Sequence, residues 1–343
     1  MKRLLNTLYI TSSGAYLSRE GETVVIRRED DSRLRVPLHT LSGIICFGHV
    51  MCSPQLMELC GERGVTLSFL SQSGRFWARV QGPVSGNVLL RREQYRQAED
   101  PEASARLAWA VVAAKIANSR TVLMRAMRDY PDAEHVGKLQ EAAGHLASIL
   151  KSTPAQSPLD TVRGHEGEAA RVYFGVFDHL IVAQKADFRF TQRSRRPPLD
   201  NLNAVLSFLY AILCHDAASA LEGVGLDPAV GSLHRDRSGR PGLALDLMEE
   251  FRAYLADRLA LSLVNRQQIR GAGFRRTDSG AVSMADDTRK TLITAYQKRK
   301  EEEIQHPFLG EKVPVGLLLH VQAMLLSRYL RGDLDAYPPF VWR

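Results

Sequence analysis

Three stretches of this sequence hold side chains able to do chemistry. In Arg163-Gly164-His165-Glu166-Gly167-Glu168-Ala169-Ala170-Arg171-Val172-Tyr173-Phe174, helical spacing puts Glu166 in register with Ala170, Tyr173, Phe177 and Ile181, an apolar stripe, whereas Glu168 lines up with Arg171 and Val172 nearer the solvent. A carboxylate on an inward stripe needs an explanation, the more so beside Gly164 and Gly167, each costing about 1 kcal/mol inside a helix. It is a ligand, or a buried Glu paired to an arginine, or the first residue of a helix that starts there. The second stretch, Gly231-Ser232-Leu233-His234-Arg235-Asp236-Arg237-Ser238-Gly239-Arg240-Pro241-Gly242, is a loop by its Gly, Ser and Pro content. Its histidine is either an exposed bystander or a ligand or catalyst. The third, Leu243-Ala244-Leu245-Asp246-Leu247-Met248-Glu249-Glu250-Phe251-Arg252, puts Asp246 and Glu249 on one helix face beside a core stripe of Leu247, Met248, Phe251 and Leu255. Periodicity does not choose between Glu249 and Glu250. Imidazole and carboxylates from separate elements form a donor set suited to Mg²⁺ or Mn²⁺; the plainer reading is a solvated acidic face near a helix N-terminus, which the macrodipole favours.

The elements that must position these groups fall into two kinds. Short runs rich in Val, Ile, Leu, Thr and Tyr, at 4–10, 23–28, 34–38, 43–46, 65–70 and 76–80, predict strands. Ser53-Pro54 opens a short helix to about Arg63, with Pro at its first position. From about residue 101 the apolar period becomes three and four, as in Leu107, Val111, Ala114, Ile116 and Val122. Helices are predicted near 103–129, 133–152, 159–183, 200–223, 242–260, 285–304 and 314–332. The fold class is therefore α+β with two domains: a small β-rich N-terminal domain over 1–90, an Arg-rich linker over 91–100, and a large all-α domain over 101–343.

Composition removes several classes. The chain has 343 residues, 45% hydrophobic and 24% charged, a globular composition without collagen-like repeats. Its net charge of +7 makes an anionic partner worth testing. Cys46, Cys52, Cys60 and Cys214 form no Cys-x-x-Cys pair and have no companion histidines at zinc spacing. A reduced, cytoplasmic protein is the expectation, with no export leader and no long uninterrupted apolar span.

Order and wording add what single signals lack. The run Arg163-Gly164-x-Glu166-Gly167…Tyr173-Phe174, then Arg196-Pro197-Pro198-Leu199-Asp200-x-x-Asn203-Ala204-x-Leu206-Ser207-Phe208-x-Tyr210, then Ala220-Leu221-Glu222-x-Val224-Gly225-Leu226-Asp227-Pro228, continues through Gly231-x-Leu233-His234 and Leu245-Asp246-Leu247-Met248-Glu249-x-Phe251-Arg252. This string closely resembles the universal CRISPR spacer-acquisition endonuclease and integrase family, the first of the CRISPR-associated proteins. The Tyr337-Pro338-Pro339-Phe340-Val341-Trp342 tail resembles the type I subtype C branch.

The resemblance implies a β-rich domain used in homodimerisation and a helical catalytic domain. It implies a divalent metal, Mg²⁺ or Mn²⁺, held by Glu166, His234 and Glu249, with Asp246 as an adjacent catalytic acid. Two departures stand out: His165 precedes the first ligand where an aliphatic residue is usual, and Glu249 replaces the Asp of some members, lengthening the arm by one methylene. The implied activity is metal-dependent cleavage of DNA and joining of a short fragment into a CRISPR array, an adaptive antiviral defence. Implied partners are DNA and the small second CRISPR-associated acquisition protein, in a heterohexamer. The DNA path then falls on Arg193, Arg195, Arg196, Arg235, Arg237, Arg240, Arg275 and Arg276, in loops flanking the ligands. The competing readings are a non-enzymatic nucleic-acid-binding assembly module of the same fold and, behind it, an RNA nuclease.

Overall fold

A computed structural model describes residues 7–41, 43–72, 76–80, 82, 88–131, 134–154, 157–278 and 280–342. The start of the strand predicted over 4–10 lies outside these residues. The first part of the chain forms β1 (Thr7–Ile10), β2 (Tyr16–Glu20), β3 (Thr23–Arg27), β4 (Arg33–Pro37), β5 (Gly43–Phe47), β6 (Met51–Cys52), β7 (Thr66–Leu70) and β8 (Phe76–Val80), with one helix, α1 (Pro54–Arg63). The hydroxyl of Ser53 caps α1 by accepting from the Leu56 N–H at 3.3 Å, and Gly64 at φ 65° ends it. Two four-stranded sheets result, ordered β1-β5-β7-β8 and β4-β3-β2-β6. β1, β5 and β7 run parallel and β8 antiparallel to β7, whereas β2, β3 and β4 form an antiparallel meander. Ile10, Leu17, Val24, Ile26, Ile44 and Leu67 from the sheets meet Leu56, Leu59 and Cys60 of α1 in one apolar core.

The helical part begins earlier than the sequence reading placed it. Residues 91–100, expected as a linker, lie almost wholly in α2 (Val88–Glu99). Arg92 and Arg96 face solvent while Leu90 and Gln94 are buried, so a dense charged face conceals a narrow inward stripe. α2 packs against α3 (Pro101–Asp129) and α10 (Leu318–Leu330). The carboxylate of Asp100 accepts from the N–H groups of Glu102 and Ala103, and Pro101 occupies the first position of α3. α4 (Val136–Ser152), α5 (Leu159–Gly175), α6 (Asn201–Gly223), α7 (Gly242–Phe251), α8 (Arg258–Asn265) and α9 (Asp286–Glu301) follow, with short ribbons β9 (Phe274–Arg276) with β10 (Val282–Met284) and β11 (Glu303–Gln305) with β12 (Lys312–Pro314).

Two predicted helices are interrupted for visible reasons. The one expected over 159–183 ends at Gly175 and tightens into a 3₁₀ turn, Phe177–Leu180. The one expected over 242–260 widens after α7 into a π-helical stretch, Arg252–Asp257. Asp257 is buried there and accepts from the hydroxyls of Tyr173 at 3.2 Å and Tyr210 at 2.6 Å, tying the widened turn to α5 and α6.

The chain divides into two compact units, residues 1–86 with Asp286–Glu303 and Pro314–Leu317, and the remainder. The expected catalytic span 101–343 therefore loses α9, which packs on the 3₁₀ turn Val315–Leu317 of its own unit. α6 is long and apolar enough to cross a membrane by length and composition, and 61% of its most apolar window is buried inside the protein. It packs against α7 and α10 as a core helix. In the larger unit α3 touches α2, α4, α5, α7 and the π-helical stretch, so whatever it presents inward is shared by all of them.

Candidate metal centre

The inward stripe of α3 runs Ala108, Val111, Val112, Lys115, Asn118, Ser119 and Val122, all buried. An ammonium on such a stripe requires anions, and two helices supply them. Glu166 reaches Lys115 from α5 in a short ion pair, and Glu249 reaches it from α7 with Oε2 at 2.9 Å from Nζ. The Glu249 side chain is 2% exposed and that of Glu166 28%, so the second carboxylate opens the pair towards solvent. Arg252, one turn along, lies 3.1 Å from Glu249 Oε1 and stacks over the Tyr210 ring at 4.8 Å. Burial pushes the Glu249 carboxyl up, but Arg252 and Lys115, with His234 behind them, outweigh it and hold the group below its ordinary value. Lys115 mirrors this: burial favours the neutral amine, and Glu249 and Glu166 keep it protonated.

His234 is positioned by a different device. The Asp246 carboxylate, on the first turns of α7, accepts from the N–H groups of Ser232 at 2.7 Å, Leu233 at 2.9 Å and His234 at 3.0 Å. The same carboxylate meets the His234 ring at Nδ1, 2.6 Å away. Asp246 is thereby saturated, and His234 presents its other nitrogen, Nε2, away from that clamp. The loop can lie this close because a Cβ at Gly231 would fall 2.7 Å from Asp246 Oδ2 and 2.6 Å from the Gly242 carbonyl carbon.

The structure thus brings Glu166 and Glu249 onto one ammonium and His234 onto Asp246. Among the described residues no three His, Cys, Asp or Glu side chains stand in a metal-holding cluster. The donor set nevertheless suits a hard divalent ion. Two carboxylates already bracket a cation, and the buried Glu249 Oε2 makes an ion pair but no aligned hydrogen bond. A histidine with Nδ1 held by a carboxylate acts electrostatically on the same Glu249. Gly164 and Gly167 are exposed beside Glu166, and a Cβ on either would meet open space.

Periodicity left Glu249 and Glu250 equal; the fold separates them. Glu250 is also fully buried, but points to the other side of α7, where it accepts from Tyr337 Oη at 2.6 Å, the Phe340 N–H at 2.6 Å and Gln322 Nε2 at 3.0 Å. Burial pushes its carboxyl up to about 7, with those donors offsetting only part of the penalty. His165 is turned away as well, with Nδ1 on the Thr153 hydroxyl, and Glu168 pairs with His145 at 2.9 Å on the surface.

Three positioning residues went unnoticed in the sequence. Lys115 is one. Asn118 donates to Glu250 O at 2.7 Å and Phe340 O at 2.9 Å and accepts from the Trp342 N–H at 2.8 Å, joining α3, α7 and the 337–342 segment. Gln94 in α2 donates to Asp227 O and Val230 O and accepts from the Asp227 N–H, clamping the root of the His234 loop. The readable signal for the first two was polar character on an otherwise apolar helical stripe.

The arginines divide. Arg195, Arg196, Arg235, Arg237, Arg275 and Arg276 are exposed, Arg235 pairing with Asp160 at 3.1 Å. Arg240 is half-buried. Arg193 is turned inward, donating to Asn203 Oδ1 at 2.6 Å and Ser207 Oγ at 3.1 Å.

Comparison with known proteins places the whole chain. Residues 8–298 match the family model described as CRISPR associated protein Cas1. A CRISPR-associated endonuclease Cas1 of Chlorobaculum tepidum is 55% identical over 343 residues, covering 100% of both chains. Another from Moorella thermoacetica is 48% identical, again over 100% of both. Among solved structures, a Cas1 protein from Thermotoga maritima superposes with a TM-score of 0.80 at 22% identity, covering 97% of this chain and 99% of that one. A casposase bound to its integration product superposes at 0.83 with 21% identity, over 98% of this chain and 94% of that one. Both share the fold.

Proposed function

The chain belongs to the Cas1 family, and on that premise we propose that it is a divalent-metal-dependent DNA endonuclease and integrase that inserts new spacers into a CRISPR array. The observation that carries this reading is the convergence of Glu166 and Glu249, from separate helices, on a single buried cation, with His234 held by Asp246 nearby.

Glu166, His234 and Glu249 would hold Mg²⁺ or Mn²⁺, and Asp246 serves as the orienting acid. When bound, such an ion polarises a phosphodiester oxygen and stabilises charge on the attacking and leaving oxygens. The chain's own residues do the rest. Asp246 fixes the His234 loop and directs the ring, so the ligand nitrogen is set before substrate arrives. Arg252 keeps Glu249 ionised in a buried site, where an uncompensated carboxylate would take up a proton. The bare surface at Gly164 and Gly167 leaves room for a DNA backbone to lie along this turn of α5. The exposed arginines at 195, 196, 235, 237, 275 and 276 offer phosphate contacts that orient DNA without reading sequence.

The partners that fit are a spacer-precursor DNA, the CRISPR repeat, a second copy of this chain and the small second CRISPR-associated protein, in the cytoplasm where such DNA is found. A structural neighbour at TM-score 0.84 and 20% identity, covering 100% of this chain and 36% of that one, is described as a Cas6-RT-Cas1–Cas2 complex, the assembly this proposal extends to the present protein. The test is strand joining of a labelled DNA fragment into a repeat-containing plasmid with Mn²⁺ or Mg²⁺. Wild-type protein joins and loses the activity in EDTA, whereas His234→Ala loses about 100-fold or more. Joining by His234→Ala at the wild-type rate overturns the assignment of His234 to the site; EDTA-insensitive DNA binding with no joining by any form favours the non-enzymatic assembly module instead.

A further inference from the structure

The most unusual group in the catalytic unit is Lys115, an ammonium placed between the two carboxylates assigned to hold a divalent ion. Its side chain is only 10% exposed: α3 carries it on the buried stripe, and its ion-pair partners among the described residues are Glu166 and Glu249. Glu249 is shared further with Arg252. Asp246 is committed to three backbone N–H groups and the His234 ring, and Asp257, which acts on Arg252, accepts from the Tyr173 and Tyr210 hydroxyls; the charges acting on Lys115 itself are Glu249, Glu166 and Arg252. The facing charges are therefore two carboxylates against two fixed cations, a balanced set before any metal arrives.

Balance has a consequence for binding. A divalent ion entering a buried set already neutral must displace the ammonium or leave two uncompensated positive charges in a region of low dielectric, and either is costly. A DNA phosphodiester brings negative charge to the same place and gives a displaced ammonium a new partner. We propose that Lys115 is a built-in counter-ion that competes with the divalent metal for Glu166 and Glu249, so that the free protein binds the ion weakly and binds it tightly only together with DNA phosphate. Lys115 in this role is a positioning residue that makes metal binding conditional on substrate. The inference rests on the metal-dependent reading of the site and adds a coupling between its two ligands.

The experiment is a Mn²⁺ titration of the full chain, followed by the EPR signal of free Mn²⁺, with and without a duplex carrying non-cleavable phosphorothioate linkages. Wild type, Lys115→Met, Lys115→Gln, Lys115→Arg and Glu249→Gln are compared after far-UV circular dichroism has verified their folding; the Gln variant covers the case in which Met is not tolerated. Wild type and Lys115→Arg should bind Mn²⁺ weakly alone and about tenfold or more tightly with DNA. Lys115→Met and Lys115→Gln should bind it about tenfold more tightly than wild type without DNA, with DNA adding little. Mn²⁺ affinities of Lys115→Met and Lys115→Gln equal to or weaker than that of wild type, with binding still abolished by Glu249→Gln, overturn the counter-ion and leave the metal site standing. No Mn²⁺ binding by any form, with or without DNA, overturns the metal reading and the counter-ion with it.

Discussion

Glu249 and Glu250 are neighbours in sequence, are equally buried on one helix and live in opposite chemistries. Glu249 faces cations, Lys115 at 2.9 Å and Arg252 at 3.1 Å, and keeps its charge. Glu250 faces neutral donors, a tyrosine hydroxyl, a glutamine amide and a backbone N–H, and its carboxyl rises to about 7. The difference teaches what separates a charged from a protonated buried acid on one helix. Glu250 has its oxygens met by directional donors; Glu249 is kept ionised by charges that leave Oε2 without an aligned hydrogen bond, the state the proposed metal ligand requires.

The sharpest way to break the comparison is to exchange carboxylate for amide at each position. Glu249→Gln should lower Mn²⁺-dependent nicking and joining by about 100-fold or more, while Glu250→Gln, measured well below its melting temperature, should stay within about threefold of wild type. Equal losses at the two positions would erase the distinction. Asp246→Asn comes next. The loop keeps its shape but loses charge-assisted bonds and the preferred tautomer of His234, and activity should fall about 10- to 100-fold with a parallel loss of metal affinity. A variant with normal metal binding would remove Asp246 from the orienting role.

Stability offers a subtler contrast. Glu250→Ala should cost about 3 kcal/mol in urea unfolding, because a hydroxyl, an amide and an N–H lose their acceptor inside the core. Its pH dependence has a defined sign. The folded-state value of Glu250, raised from 4.5 to about 7, means that its carboxyl contributes stability fully below about pH 4.5 and loses it as pH rises through about 7. Glu249, held below its ordinary value of 4.5, contributes above that pH and loses the contribution as pH falls. The stability of wild type minus Glu250→Gln should therefore decline from pH 4.5 to 7, whereas wild type minus Glu249→Gln should decline on acidification below 4.5. Slopes of the same sign would contradict the two environments. The smallest effects belong to the exposed arginines: Arg195→Ala or Arg237→Ala should weaken DNA binding a few-fold and reduce the salt-dependence slope by about 1, and no change in that slope would place the arginine off the DNA path.

Much of this was legible beforehand, and the exceptions share a cause. The helical periods at 103–129, 200–223 and 314–332 correspond to α3, α6 and α10, and Glu166 was placed on an inward face by spacing alone. Lys115 and Asn118 escaped because a polar residue on a long, alanine-rich helix reads as surface unless its stripe is followed residue by residue. Gln94 escaped because arginines around it gave the segment the look of a tether. β2, whose sequence Tyr-Leu-Ser-Arg-Glu lacks a clean apolar alternation, is held by pairing with β3 on one side and β6 on the other. For Lys115, Asn118 and Gln94 the deciding partner is distant in the chain, and local pattern carries no trace of it.

That distance also sets when the site can exist. The single side chain of Asn118 bonds to groups 132, 222 and 224 residues away. Contacts of such high order close large loops and come late in folding, since the entropy of closure is spent before they give anything back. Helices α3, α5 and α7 can each form early without bringing Lys115, Glu166 and Glu249 together. A chain caught part-way therefore holds ordered helices without the assembled Lys115–Glu166–Glu249 cluster, which arrives only with the last long-range contacts.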